Sequence, residues 1–278
     1  MAEDPHDIID DSAQVASAPL RPKRKGLYIL PNAISLAALF ASFYAIVMAM
    51  NGQFALSAYG IFSAAVLDSL DGRVARMTNS QSAFGEQMDS LCDMVSFGAA
   101  PALIVYEWAL RDLGKWGWFP AFVYIAGAAL RLARFNTNIG VVDRRYFQGL
   151  PSPAAAALVM GLIWVMDDAG LRGVNKIDWL AWTAFAVTLY AGLTMVTNAP
   201  FYSFKDVSFK RSVPFIVIVA IALAIAVINI HPPIVLFALF CLYGVSGYVV
   251  YGWKRMKGRP VSVIATSKDE PDEEGLHR

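Results

Sequence analysis

Four aspartates, Asp68, Asp71, Asp89 and Asp93, stand inside or at the edge of long apolar stretches of this chain. An ionised carboxylate at a bilayer centre costs roughly 2.5 to 3.5 kcal/mol, so something must offset their charge. Their setting reads Asp68-Ser-Leu-Asp71-Gly72-Arg-Val-Ala75-Arg76, then eight residues, then Gly85-Glu-Gln-Met-Asp89-Ser-Leu-Cys-Asp93. Spacings of three and four place each pair on one face of its own helix. Two such helices joined by a short turn aim all four carboxylates at one another. Four anions held together require cations, and an oxygen-only donor set suits a divalent-metal site.

The neighbouring residues admit two readings each. Gly72 and Ala75 make a small surface that lets a ligand or a backbone approach closely, and the same surface serves ordinary helix packing. Arg76, four residues after Gly72, can neutralise the carboxylates or grip a phosphate bidentately. Taken alone it also reads as a snorkelling interface anchor. Cys92 and Cys241 lie in apolar stretches, where free cysteine behaves as a small hydrophobe. No disulfide is expected, and Cys92 is expected to point away from the carboxylate face. His6 and His277 are near the termini and His231 is in a turn, so neither a histidine-based nucleophile nor a histidine-rich zinc site has candidates.

The elements that must hold these residues follow from composition. The chain has 278 residues, 57% hydrophobic and 16% charged, against about 25% charged in soluble domains. Runs long enough to span a bilayer read at 27 to 50, 53 to 76, 83 to 107, 117 to 138, 151 to 167, 178 to 199, 213 to 231 and 233 to 252. The expected fold is an all-α integral membrane bundle of about eight transmembrane helices; a short fifth run and the His231-Pro-Pro233 turn leave six or seven open. No basic face with interleaved aromatics is present, and no nucleic-acid partner is expected. Lysine and arginine favour cytoplasmic loops. Arg21, Lys23, Arg24 and Lys25 precede the first run, Arg144 and Arg145 the fifth, and Lys205, Lys210 and Arg211 the seventh; Lys254, Arg255, Lys257 and Arg259 follow the last. Both termini and the aspartates are thereby expected at the cytoplasmic face. The first run is too long, and its leading segment too acidic, for a cleavable signal peptide. Residues 1–20 read as a disordered tail and 21–253 as the transmembrane catalytic domain. Residues 254–278 read as a basic, then acidic, disordered tail.

Asp-x2-Asp-Gly-x2-Ala-Arg-x8-Gly-x3-Asp-x3-Asp fixes eight residues over 26 positions. On these residues the sequence resembles the CDP-alcohol phosphotransferase family, integral membrane enzymes of phospholipid synthesis. The resemblance implies a helical bundle, two divalent metal ions (Mg2+ or Mn2+), a CDP-linked donor and a homodimer. It assigns Asp68, Asp71 and Asp89 to the metals, and makes Asp93 both the candidate base and a further ligand. It places Asp68, Gly72, Ala75, Arg76 and Gly85 around the nucleotide and diphosphate, with Gly85 allowing close approach across the helix pair.

Further along, Arg131-Leu-Ala-Arg134-Phe-Asn136, Gly149-Leu-Pro-Ser-Pro-Ala154 and Ser203-Phe-Lys205 resemble the phosphatidylserine synthase branch. That branch transfers the phosphatidyl group of CDP-diacylglycerol to L-serine. An amino-acid acceptor needs cations for its carboxylate and acceptors for its ammonium, and Arg131, Arg134, Asn136 and Lys205 can supply several of these. Arg134 and Lys205 equally suit helix-end anchors or lipid head-group contacts. A phosphorylated acceptor would suit the same charge, so glycerol 3-phosphate, inositol phosphate and choline stay open from the residues alone. A transporter with cation-binding aspartates is a reading of another class, but no internal repeat of the transporter kind is evident. Small residues in the third to fifth runs (Gly98, Ala99, Ala100, Gly127, Ala128, Ala154 to Ala157) suit close helix contact, between copies or within one chain.

Overall fold

Inside hydrocarbon each backbone amide must find its partner within the protein, and a helix does this without leaving an edge. The computed structural model describes residues 29–78, 80–137, 146–171, 178–203 and 215–257. Within them run α1 (Ile29–Met50), α2 (Phe54–Met77), α3 (Ala83–Asp93), a π-helical turn (Met94–Ala99) and α4 (Ala100–Trp108). A 3-10 segment (Leu110–Trp116), α5 (Trp118–Thr137), α6 (Ser152–Asp168), α7 (Asp178–Val196), α8 (Phe215–Ile230) and α9 (Pro232–Met256) follow. The π turn joins α3 to α4 in one continuous rod, Ala83–Trp108. The described residues thus form an all-α bundle whose rods follow the apolar runs read from the sequence. Five rods are long and apolar enough to cross a membrane by length and composition: Ile29–Met50, Phe54–Met77, Ala83–Trp108, Trp179–Val196 and Pro232–Met256. The helices α6 and α8, with 17 and 16 residues, are shorter.

The centre of the bundle is α6, buried from Ala154 through Trp164 and packed against α2, α4, α7 and α9. Its alanines let four neighbours come close. Gly192 of α7 meets α5 backbone to backbone: a Cβ there would fall 2.8 Å from Tyr124 Cα. Gly98 faces the Ala128 side chain, whose Cβ would lie 3.2 Å from a Cβ at 98. Gly98, Ala100, Gly127, Ala128 and Ala154 to Ala157 are all buried within the single chain, so the expected homodimer draws no support from them.

One feature differs from the sequence expectation of a plain loop into the fifth helix. Residues Tyr146–Gln148 (β1) and Pro200–Tyr202 (β2) pair antiparallel, with Phe147 opposite Phe201. Strands of three residues, more than fifty positions apart, carry no periodic signal. Gly149, at φ 73°, turns the ribbon onto the end of α7. Its amide donates to Ala199 O at 3.0 Å, and that of Leu150 donates to Thr194 O at 3.1 Å. A side chain at 149 would collide with the carbonyls of Met195 and Thr197.

The ends of the bundle differ. Trp116, Trp118, Trp179 and Trp182 are exposed where α5 and α7 begin, as aromatic residues are at a membrane–water boundary. The aspartates occupy the other end.

Candidate active site

Asp68 and Asp71 lie in the C-terminal half of α2 and Asp89 and Asp93 in the first half of the α3 rod. Ser82 starts that rod by accepting the amide hydrogen of Gly85 on its Oγ at 3.0 Å, a cap worth about 1 kcal/mol. One oxygen from each of Asp68, Asp71 and Asp89 lies within 4.8 Å of the others, with Asp71 buried and its partners half-buried. At that distance three ionised carboxylates repel by about 3 kcal/mol per pair at an effective dielectric near 20. No described lysine or arginine forms an ion pair with them. A hard divalent cation reverses the sign of that energy, and three oxygen donors on rigid helices fit one.

Asp93 completes the set from one helical turn further along. Its carboxyl stands within hydrogen-bonding reach of Asp68, and its Oδ1 is buried without a partner. The guanidinium of Arg131, on α5, acts electrostatically on it and is held by a 2.7 Å hydrogen bond from Nη1 to Ser152 Oγ at the start of α6. The π turn begins immediately after Asp93. Its i→i+5 bonding widens the coil, and the carbonyl of Phe97 accepts the buried Tyr124 hydroxyl at 2.9 Å.

The first helix forms the third wall. Packed against both α2 and α3, it presents Ser35, whose Oγ donates to Asp71 Oδ2 at 2.7 Å. A Cβ on Gly85 would sit 3.2 Å from Ser82 Oγ and 3.3 Å from Asn32 Oδ1, so this glycine lets α3 lie close to α1. Gly72 resolves differently. A Cβ on it would have only the Arg76 guanidinium within 4 Å, so no neighbouring helix needs that glycine for packing and the space beside it is open. Ala75 is half-buried and Arg76 exposed along the same face. Cys92 is a free, buried thiol on the helix that carries Asp89 and Asp93.

The α5 residues divide their work. Arg134 Nη1 donates to Val196 O and Asn198 Oδ1, both at 3.1 Å, satisfying a carbonyl left open at the end of α7. Asn136 Nδ2 donates to Ser90 Oγ at 3.1 Å, tying α5 to α3 one residue after Asp89. Arg131 is the α5 cation that acts on Asp93. Lys205 lies outside the described residues, as do residues 1–20, the acidic end of the C-terminal tail and most of the basic loop residues. Sequence reasoning missed Ser35, Ser90 and Tyr124 as supports; a signal existed for the first, since Asn32 and Ser35 form a polar pair three apart on an otherwise apolar helix.

Fold and site together define an integral membrane helical bundle with an acidic, metal-capable centre at one end. The chain belongs to the CDP-alcohol phosphatidyltransferase family, whose model matches residues 28–242. A Helicobacter pylori (strain J99) protein is 33% identical over 223 residues, covering 80% of this chain and 92% of its own length. One from Mycobacterium leprae is 30% identical over 236 residues, 82% of this chain and 76% of the relative. One from Methanocaldococcus jannaschii is 30% identical over 190 residues, 68% and 82% respectively. Each of the three is named CDP-diacylglycerol–serine O-phosphatidyltransferase.

Proposed function

We propose that this chain transfers the phosphatidyl group of CDP-diacylglycerol to the hydroxyl of L-serine, yielding phosphatidylserine and CMP. The observation that carries the reading is the carboxylate cluster, three oxygens within 4.8 Å of one another beside an Asp93 with an unpartnered oxygen, in a chain whose relatives are named for this reaction. Asp68, Asp71 and Asp89, with Asp93 as an additional ligand, hold two divalent ions, Mg2+ or Mn2+. When bound, these neutralise the non-bridging and leaving oxygens of the diphosphate.

The protein's own groups do the rest. Asp93 takes the serine hydroxyl proton on its free oxygen. The serine oxygen forms its bond to the phosphatidyl phosphorus while the bond to the CMP oxygen breaks, and the electron pair leaves with CMP. Arg131 holds the acceptor carboxylate beside Asp93, with Asn136 and Lys205 completing the acceptor side; Arg134 fixes the end of α7. Gly72, Ala75 and Arg76 line the donor's nucleotide and diphosphate, with Gly85 and the backbone around Asp68, and the acyl chains stay in the bilayer. We assign the catalytic domain to 21–253. The acidic centre faces the cytoplasm of a bacterial inner membrane, with both termini on that side. A homodimer belongs to the same proposal and is read by light scattering of the detergent-solubilised protein.

The test supplies purified protein with CDP-diacylglycerol, Mn2+ and each acceptor in turn, and identifies the lipid formed. Phosphatidylserine from serine is expected. A lipid product that forms only with glycerol 3-phosphate, inositol phosphate or choline refutes the serine assignment.

A further inference from the structure

The family match ends at residue 242, within α9, yet the next turns of that helix make the closest contact with the ribbon beside the site. Gly247 is buried, and a Cβ there would fall 2.6 Å from both Cε1 and Cε2 of Phe201. The fully buried Phe201 ring therefore sits on the bare backbone of α9. Tyr243 and Tyr248 flank it, with ring centroids at 5.6 and 6.5 Å. Three hydrogen bonds pin the same face. Tyr190 donates to Gly244 O at 2.8 Å, Thr194 and Tyr248 share one at 2.9 Å, and Tyr243 donates to Tyr202 O at 3.2 Å. Residues 243, 247 and 244, 248 form two i, i+4 pairs on one side of the helix, so this is a socket built for one aromatic ring.

What the ring carries gives the socket its meaning. Phe201 pairs with Phe147, and β1 runs through Gly149 and Leu150, both bonded to the end of α7, into Ser152. Ser152 is fully buried and holds Arg131, the cation acting on Asp93. We propose that Gly247 and the Tyr243–Tyr248 socket of α9 are positioning residues for the acceptor. They fix the Phe201–Phe147 ribbon and, through Ser152, the guanidinium of Arg131. The inference rests on the reading of Arg131 as the acceptor's cation. A shift of the ribbon then weakens acceptor binding and leaves the metal site, on α2 and α3, intact.

The experiment compares Gly247→Ala, Phe201→Leu, the double variant and Arg131→Gln. KM for serine, KM for CDP-diacylglycerol and kcat are measured for each, together with Mn2+ binding by the free-ion EPR signal. For Gly247→Ala we expect serine KM to rise about tenfold or more with kcat, donor KM and Mn2+ binding within about threefold, the pattern of lost ground-state positioning. Replacing the ring by the smaller leucine side chain in the double variant returns serine KM toward the parent value. Phe201→Leu alone, which introduces no clash and keeps the site folded if Gly247→Ala does not, raises serine KM in the same direction. Unchanged serine KM in Gly247→Ala and Phe201→Leu, with a raised value in Arg131→Gln, overturns the socket and leaves the acceptor reading standing. A rise in Gly247→Ala that the smaller side chain at 201 does not relieve also overturns it. An unchanged serine KM in Arg131→Gln removes the acceptor reading itself, and the inference with it.

Discussion

The four carboxylates are not equivalent, and their surroundings separate them. Asp71 is buried and its Oδ2 already accepts from Ser35, which fixes the rotation of that carboxylate; Asp93 keeps a buried oxygen without a partner. Asp93→Asn is therefore expected to lower kcat about 10²- to 10⁴-fold, the usual contribution of a general base, with CDP-diacylglycerol binding retained in an equilibrium assay; full activity in this variant would sink the base assignment. Ser35→Ala leaves Asp71 free to rotate. Loss of such a partner costs about 10- to 100-fold in metal affinity, measured as free Mn2+ by EPR, and Ser35→Thr should restore it by returning the hydroxyl. Unaltered affinity in Ser35→Ala would show that Asp71 needs no orienting partner. Metal removal acts on the same charges. Chelation should lower the thermal unfolding temperature, and Mn2+ should raise it in proportion to its occupancy of the folded state. A protein with Asp68 and Asp89 both changed to Asn should lose that response, since the repulsion and the site go together.

At the scale of elements, the sequence was most legible where the physics is local. The spacing of Asp68 with Asp71, and of Asp89 with Asp93, lies within single helices, and apolar run length set the rods to within a few residues. Contacts between distant segments left no such mark. Nothing in Tyr124 alone says that it will satisfy Phe97, nothing in Phe201 that it will meet Gly247, and nothing in Gly85 that it will face Asn32 of α1. The π turn falls in the same class, since it reads as ordinary helix in the sequence. Its position directly after Asp93 makes its support testable. Tyr124→Phe removes the donor to a fully enclosed carbonyl, and an unsatisfied buried group costs about 1–3 kcal/mol. The variant should melt earlier and lose kcat more than either KM, because the turn sets where Asp93 stands; a lower melting temperature with unchanged kcat would confine Tyr124 to stability.

Over the whole molecule, the two ends of the bundle differ chemically, and this predicts an orientation in the bilayer. The acidic centre shares its end with the close of α9, where Lys254 and Arg255 occupy the last turn and Lys257 lies 4.1 Å above the Trp253 ring. The other end bears the tryptophan belt and exposed Lys115. Positive charge is retained on the cytoplasmic side and tryptophan marks the boundary, so CDP-linked donor and serine should both reach the site from the cytosol. Single cysteines at Lys115 and Lys257, in a background lacking Cys92 and Cys241, report this directly. Both positions are exposed and away from the residues assigned to chemistry. A membrane-impermeant maleimide applied to intact cells or right-side-out vesicles should label Lys115→Cys and spare Lys257→Cys, and inverted vesicles should reverse the pattern. Labelling of Lys257→Cys from outside would turn the molecule over. Its site would then face away from the cytosol, and the proposed supply of both substrates from that side would fail.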